Sequence, residues 1–351
     1  MKSNEKQSVL LKQTLNEFRS VLTESIEDCN QVFLIAHEKP DFDAIASLGA
    51  AGLICKKHKK APYIIINDNI DDLSDEIKEM IDKIKEKFIV ITVDDYENNK
   101  TNNDLLISLD VNKGFRTALE GKYKQFKNII IIDHHSEDEN TIKTKNKFIT
   151  LEVSSCSEIL YYLLNQYKIT SSDISYYTFL LAGIYLDTNK LSKNKFSSTL
   201  EAVGGLIKKG ADQSKVDDFF ALDFESDRRV HSLVDKTIPI NTTVLVSVSD
   251  DGLYTQEEIA KAADYALNYK CDAVIIAAKM KDGSYGVSAR GKGNDRISID
   301  NIMYILNGGG GNSINASCPP IFKDSDDELS DIKKDIVDIL TFKKIKGSEN
   351  K

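Results

Sequence analysis

The chain has 351 residues, is 41% hydrophobic and 29% charged, and carries a formal net charge of −9. That length accommodates two domain cores in a globular chain, and the negative balance excludes a general grip on long nucleic acid, which needs a basic face. No apolar run approaches the roughly 20 residues of a membrane helix, and the polar segment Met1–Gln13 excludes a secretory signal.

Apolar residues recur at helical spacing over Glu5–Asp28 (Leu11, Leu15, Phe18, Leu22, Ile26). This predicts a helix packed on the first domain, with a docking or linker helix as the alternative. V-F-L-I-A (Val32–Ala36) reads as a buried strand that runs into a loop, His37–Asp43, where Pro40 disfavours helix for Lys39. The expected elements continue with a helix over Ala44–Lys57, a strand over Pro62–Ile66, a charged amphipathic helix over Asp71–Lys87 and a short strand over Phe88–Thr92. A buried strand at Asp104–Asp110 and a short helix at Lys113–Leu119 follow. Ile129–His135, four isoleucines closed by D-H-H, is the central strand.

Two helices come next, Ser154–Tyr167, with Ser155 as cap and Glu158 three residues on, and Ile174–Leu186, apolar nearly all round and therefore buried. Strands alternating with helices in this way predict a parallel, doubly wound sheet. Polar Asn189–Ser198 opens a connection, helix is expected over Leu200–Asp223 with a stop at Lys209-Gly210, and again over Asp227–Val234. The second domain reads as a strand at Thr243–Val248, a helix at Thr255–Tyr269, and a hairpin of Ala273–Met280 and Ser284–Arg290 turning on Asp282-Gly283. A helix over Ile297–Leu306 breaks at Gly308–Asn312, and Glu328–Phe342 forms a last helix. The expected organisation is an N-terminal helix (1–30), a catalytic domain (31–190), a helical connection (191–235), a smaller mixed-sheet α/β domain (236–343) and a disordered tail (344–351), with the active-site cleft between the two domains. Cys29, Cys55, Cys156, Cys271 and Cys318 contain no CxxC pair, which excludes zinc-ribbon and dithiol readings and fits reduced thiols.

Three strands end on acid or imidazole: His37 with Asp41 and Asp43, then Asp110, then Asp133, His134 and His135. A helix ends on Asp187. Taken singly, each has an ordinary structural use; Asp41 and Asp43 would serve as well as helix caps. Taken together, they meet at the carboxyl edge of one parallel sheet, where open α/β folds bind ligands. Carboxylates a few ångströms apart repel by several kcal/mol at an effective dielectric near 20, and no lysine recurs at these strand ends to offset this. Divalent cations are the better answer, and so many oxygen and imidazole ligands suit two ions rather than one tetrahedral zinc. The mixed donor set points to Mn2+ before Mg2+ or Ca2+. Two such ions create a hydroxide nucleophile near neutral pH and clamp a phosphoryl group during in-line attack.

The ordered series H-x-x-x-D-x-D, a lone strand-end Asp, D-H-H and a helix-terminal Asp-Thr resembles the DHH phosphoesterases. Ser288–Arg290 and the glycines Gly308–Gly311 resemble the family's associated substrate domain. A-H-E-K-P-D-F-D-A-I-A-S, S-S-C-S-E, L-A-G-I-Y-L-D-T and Gly308–Ala316 look most like the catalytic half of cyclic-di-AMP phosphodiesterases. The chain begins at what looks like their linker helix, as a freestanding version would.

That resemblance implies one Mn2+ on His37, Asp41 and Asp110 and a second on Asp43, Asp110, His134 and Asp187, with Asp110 bridging. It implies that Asp133 orients the metal-bound imidazole and that His135 faces the substrate phosphate and protonates the leaving oxygen. Ser288 and Arg290 would bind phosphate, and Gly309, Gly310, Gly311 and Asn312 would bring backbone N–H groups to phosphate or base. The chain departs from the family at Asn312, where histidine is usual. It departs again at Asn194 and Ser198, where arginines are usual and Lys190, Lys193 and Lys195 stand nearby.

The implied activity is Mn2+-dependent hydrolysis of cyclic di-AMP to pApA. The alternatives are a nanoRNase or 3′-phosphoadenosine 5′-phosphate phosphatase acting on short linear nucleotides, or a nucleotide sensor with vestigial catalysis. Expected partners are such small nucleotides, with no long nucleic acid and no membrane; a homodimer is compatible with the sequence, and the expected location is cytoplasmic.

Overall fold

The computed structural model describes residues 2–67, 73–193, 195–293, 297–311, 313–323 and 327–348. By contacts the chain divides into two units, Met1–Ala221 and Leu222–Lys351.

The first unit runs α1 (Lys2–Asp28), β1 (Val32–Ile35), α2 (Phe42–Lys57), β2 (Tyr63–Ile65), α3 (Asp75–Lys85), β3 (Ile89–Ile91), α4 (Val93–Asn99), β4 (Leu105–Leu109), β5 (Asn128–Asp133), β6 (Lys147–Ile149), α5 (Cys156–Gln166), α6 (Ser175–Thr188), α7 (Ser197–Lys208) and α8 (Gln213–Phe219). Its six strands pair in parallel in the order β3-β2-β1-β4-β5-β6. Alternation sorts β1 between two layers. Val32 and Leu34 enter the large core with the apolar sides of α2, α5 and α6, while Phe33 and Ile35 join Tyr96, Leu106, Leu119 and Phe126 on the other face. Leu11, Leu15, Leu22 and Ile26 of α1 are buried in the large core, so this helix is docked on the first unit. The parallel α/β class is therefore the one the strand–helix alternation predicts.

Local differences have local causes. The expected helix at Lys113–Leu119 is a single 3-10 turn, Gly114–Arg116, and a second, Glu120–Gln125, lies beyond it. Glu38 N–H donates to Arg116 O (2.8 Å) and Ala118 N–H to Ala36 O (3.0 Å), so this backbone pairs with the segment after β1 and cannot also satisfy a helix. The central strand stops at Asp133, because Asp133 Oδ1 accepts the amides of His134 (2.7 Å) and His135 (3.1 Å) and turns the chain. The helical stretch expected over Leu200–Asp223 is α7 and α8, parted at the expected stop, Gly210, whose φ of 97° is left-handed. Helix α4, with a Thr92–Asp95 capping box, and the three-residue edge strand β6 were not expected. Residues 71 and 72, the expected start of α3, lie outside the described residues.

The second unit runs α9 (Phe224–Asp235), β7 (Ile238–Pro239), β8 (Val244–Tyr254), α10 (Gln256–Ala266), β9 (Ala273–Met280), β10 (Tyr285–Gly291), α11 (Ile299–Asn307), β11 (Gly310–Gly311), β12 (Asn315–Ile321) and α12 (Glu328–Ser348). Its sheet order is β11-β12-β10-β9-β8-β7, with β8–β9 parallel and the other pairs antiparallel. Val274, Ile276 and Ala278 face Val230, Leu233, Ile259 and Ala262 of α9 and α10. Ile275 and Ala277 face Ile302, Met303, Ile332 and Ile336 of α11 and α12. Helix α9, expected in the connection, thus packs inside the second unit's core. Strand β12, with Pro319 and Pro320 and little β-branching, gave no strand signal. Helix α12 continues to Ser348, past the expected start of a disordered tail. Among the described residues no helix is long and apolar enough to cross a membrane.

Candidate metal centre

The strand order of the first sheet reverses between β1 and β4, the kind of switch point at which open α/β sheets bind ligands beside the carboxyl ends of their strands. His37 follows β1, Asp110 follows β4, and His134 and His135 follow β5. Asp41 caps α2, its Oδ1 accepting the amides of Asp43 (3.0 Å) and Ala44 (3.1 Å). Asp43 lies in the first turn of α2 and Asp187 in the last turn of α6. Asp110 has a φ of 59°, a left-handed conformation that aspartate adopts more readily than most residues and that recurs at functional sites.

His37 Nε2 lies 3.7 Å from Asp41 Oδ1 and 3.6 Å from Asp110 Oδ2. His134 Nε2 lies 3.3 Å from Asp110 Oδ1, 3.6 Å from Asp187 Oδ2 and 4.0 Å from Asp43 Oδ2. His37, Asp41 and Asp110 therefore form one compact donor set, Asp43, His134 and Asp187 a second, and Asp110, Asp133, His134 and His135 a third that overlaps both. One carboxylate oxygen of Asp110 lies beside His37 and the other beside His134.

The electrostatics show what the cluster lacks. Burial, followed by the nearby Asp110 charge, pushes the Asp43 carboxyl up to about 7. Burial likewise raises Asp187 well above the carboxylate range despite the opposing charge of His134. Burial would also raise Asp110, but the imidazoles of His134 and His37 beside it outweigh this and hold the carboxyl low. His37 and His134 are lowered by burial and raised further by their aspartates, and both finish well above the ordinary imidazole value. Asp110 Oδ1 is buried and accepts no well-aligned hydrogen bond. A mixed oxygen and imidazole donor set with such an atom at its centre fits divalent transition-metal ions.

Asp133 departs from its expected place. Its Oδ1 takes Nδ1 of His135 at 2.8 Å, so it orients the outer imidazole and not the ligand-set imidazole of His134. The His135 side chain is 57% exposed.

Four supporting residues carried weaker sequence signals. The amides of Cys156 (2.8 Å) and Ser157 (2.7 Å), at the N-terminus of α5, donate to the two oxygens of Asp43. S-S-C-S-E announced the cap, and Ser155 Oγ does accept from Glu158 N–H (3.1 Å), but nothing local announced the partner over 100 residues away. Gly183, a small residue in a bulky apolar helix, packs against Asp43. Asn112, buried directly after β4, donates from Nδ2 to His135 O (3.1 Å).

In the second unit, Arg290 donates from Nε to Asp264 Oδ1 (2.9 Å) and from Nη1 to Ser288 Oγ (2.9 Å). Ser288 is buried beneath the guanidinium and acts on Arg290, not outward. A Cβ on Gly309 would meet Ser317 O at 2.3 Å, and one on Gly311 would meet Asn315 O at 2.2 Å, so these glycines first of all let β11 approach β12. Gly310 has open space at its Cα. Asn312 and Asn194 lie outside the described residues. Ser198 is buried, its carbonyl accepting from Tyr162 OH (2.8 Å).

Residues 31–184 match the model of the DHH family, N-terminal domain. The chain is similar to the cyclic-di-AMP phosphodiesterase GdpP of Bacillus subtilis, 26% identical over 304 residues, covering 82% of this chain and 45% of GdpP. It is similar also to the cyclic-di-AMP phosphodiesterase PdeA of Listeria monocytogenes, 26% identical over 299 residues with the same coverages. The chain thus spans about half the length of the curated relatives it matches. Its fold is that of an exopolyphosphatase-related protein from Bacteroides fragilis (TM-score 0.73, 16% identity, 92% of this chain and 96% of that one). More distantly it is that of RecJ in complex with Mn2+ from Thermus thermophilus (TM-score 0.52, 12% identity, 92% and 54%). The domain at 31–184, with its D-H-H closing the central strand, is thus similar to the N-terminal domain of the DHH family.

Proposed function

We propose that this chain is a metal-dependent phosphodiesterase of small nucleotides, and that it opens cyclic di-AMP to pApA. The observation that carries the reading is the Asp110 carboxylate, one oxygen of which lies 3.6 Å from His37 Nε2 and the other 3.3 Å from His134 Nε2, within the clustered donor sets of the centre. His37, Asp41 and Asp110 would hold one Mn2+, and Asp43, Asp110, His134 and Asp187 the other. When bound, the two ions supply Lewis acidity toward the phosphoryl oxygens and a nucleophile of lowered pKa. The chain's own residues do the rest. Asp43 is held in place by the α5 amides, so its set does not have to be organised on binding. Asp133 fixes the His135 ring by Nδ1, which leaves Nε2 to give a proton to the departing 3′ oxygen as the P–O3′ bond breaks. Arg290, already braced by Asp264 and Ser288, offers its remaining guanidinium N–H groups to a phosphate. The similarity to two enzymes named as cyclic-di-AMP phosphodiesterases supports the choice of substrate.

A second reading, action on short linear nucleotides, is favoured by Asn312, which follows the glycine run where histidine is usual. The two are separated by chromatography of products after incubation with Mn2+ and, separately, cyclic di-AMP, pApA and 3′-phosphoadenosine 5′-phosphate. Formation of pApA from the cyclic substrate, abolished in Asp187→Ala, is the expected result. Turnover of the linear substrates alone selects the second reading, and no Mn2+-dependent turnover of any of the three overturns both.

A further inference from the structure

We propose that Phe115 and Arg116 form a platform on which a nucleobase of the substrate stacks beside the metal centre. This rests on the nucleotide reading above and names a contact that the metal ligands cannot supply. Segment 110–118 leaves the sheet at Asp110. Asn112 Nδ2 then donates to His135 O (3.1 Å) and Lys113 Nζ to Ser136 O (3.1 Å). The segment returns antiparallel to the residues around His37, with Thr117 opposite His37. One short segment is thereby tied to all three strand ends of the centre.

The segment is built rigidly. A Cβ on Gly114 would meet the Tyr123 ring at 2.1 Å, so this ring closes directly over the turn. Thr117 is buried and its Oγ1 donates to Gly114 O (2.9 Å), and Ala118 and Leu119 are buried behind it. On this support Phe115 is 62% exposed, at a position where a polar turn residue would be the ordinary choice. The guanidinium of Arg116 lies 5.9 Å from the ring centroid. An exposed phenyl face with a neighbouring cation matches the two halves of a nucleotide, a planar base and its phosphate. A base-free phosphoester has no partner for the ring. Backbone tied down by these contacts requires little ordering on binding.

The chain contains no tryptophan, so Phe115→Trp installs a single indole reporter on the platform. In that variant, loaded with Mn2+, adenosine 5′-monophosphate should quench the indole emission and ribose 5-phosphate should not. Phe115→Ala should raise the KM of the turned-over nucleotide about tenfold, the loss of one stacked base, with kcat nearly unchanged. Phe115→Tyr should restore it. Arg116→Ala should raise KM and flatten its dependence on salt. Nucleotide turnover accompanied by no quenching and an unchanged KM in Phe115→Ala overturns the platform and leaves the phosphodiesterase reading standing. Quenching by adenosine 5′-monophosphate without turnover of any nucleotide supports the platform and overturns that reading; absence of both overturns both.

Discussion

Gly183 of α6 lies so close to Asp43 that a Cβ there would sit 2.8 Å from Asp43 Oδ1 and 2.2 Å from Ser157 Oγ. The buried metal-set carboxylate is thereby fixed from two sides, by the amides of α5 and by the bare backbone of α6. Gly183→Ala would gain helix propensity and still overpack this contact. We expect a net loss of about 1–3 kcal/mol of stability together with weaker Mn2+ binding, read by thermal unfolding and by titration calorimetry on the same variant. An unchanged Tm with unchanged Mn2+ affinity would show that α6 is not what positions Asp43.

Asp133 and His135 should behave as one catalytic unit. Asp133→Ala leaves the exposed imidazole without its 2.8 Å anchor, and His135→Ala removes the imidazole itself. A positioned general acid contributes about 10²–10⁴-fold, so each single variant should lose kcat within that range at little cost in KM. The double variant should lose hardly more than His135→Ala alone. Multiplying losses in the double variant would mean that Asp133 acts through something other than His135.

Much of this centre was legible in the sequence because its chemistry falls at element ends. A buried strand closing on D-H-H, or an apolar helix closing on Asp187, is anomalous in one dimension and needs no knowledge of the partner. What could not be read depended on approach between distant segments. Thr117 looks like part of a helix until its pairing with His37 is known. Asp133 adjoins both histidines in sequence, so only the direction of its carboxylate shows that it serves His135. Strand β12 has a composition that contradicts its state, and the close packing of Gly309 and Gly311 against it shows why glycine stands there. In sequence the glycine run resembles a phosphate-binding loop, whereas two of its members are first required by the sheet.

Binding of Mn2+ should release protons. In the ion-free centre Asp43 is raised to about 7, Asp187 is raised well above the carboxylate range, and His37 and His134 lie well above the ordinary imidazole value. Each folded-state value exceeds the unfolded one. These groups therefore stabilise the ion-free fold at low pH, and that contribution is lost as pH rises through the folded values. Cations compete for the same lone pairs, so Mn2+ affinity should rise with pH across that window. Calorimetry at pH 7 in buffers of different ionisation enthalpy should show more than one proton released per protein. A binding heat independent of buffer would contradict the ligand assignment.

Asp110 is the residue whose loss should cost both ions. Asn shares the tolerance of aspartate for the left-handed backbone at this position, so Asp110→Asn should keep the fold while removing the negative charge that both donor sets share. Asp187→Ala disrupts one set and leaves His37, Asp41 and Asp110 intact. Metal analysis should then find two Mn2+ in the wild type, one in Asp187→Ala and fewer than one in Asp110→Asn, with turnover absent from both variants. Thermal shift tests the same point without reference to activity. At Mn2+ about 100-fold above Kd, a single site adds about 2.7 kcal/mol, which for a domain of this size raises Tm by roughly 5–10 °C. The wild type should show at least that rise, Asp187→Ala a smaller one and Asp110→Asn almost none. An Asp110→Asn protein that still gains several degrees with Mn2+ would mean that the two donor sets are not joined through this carboxylate.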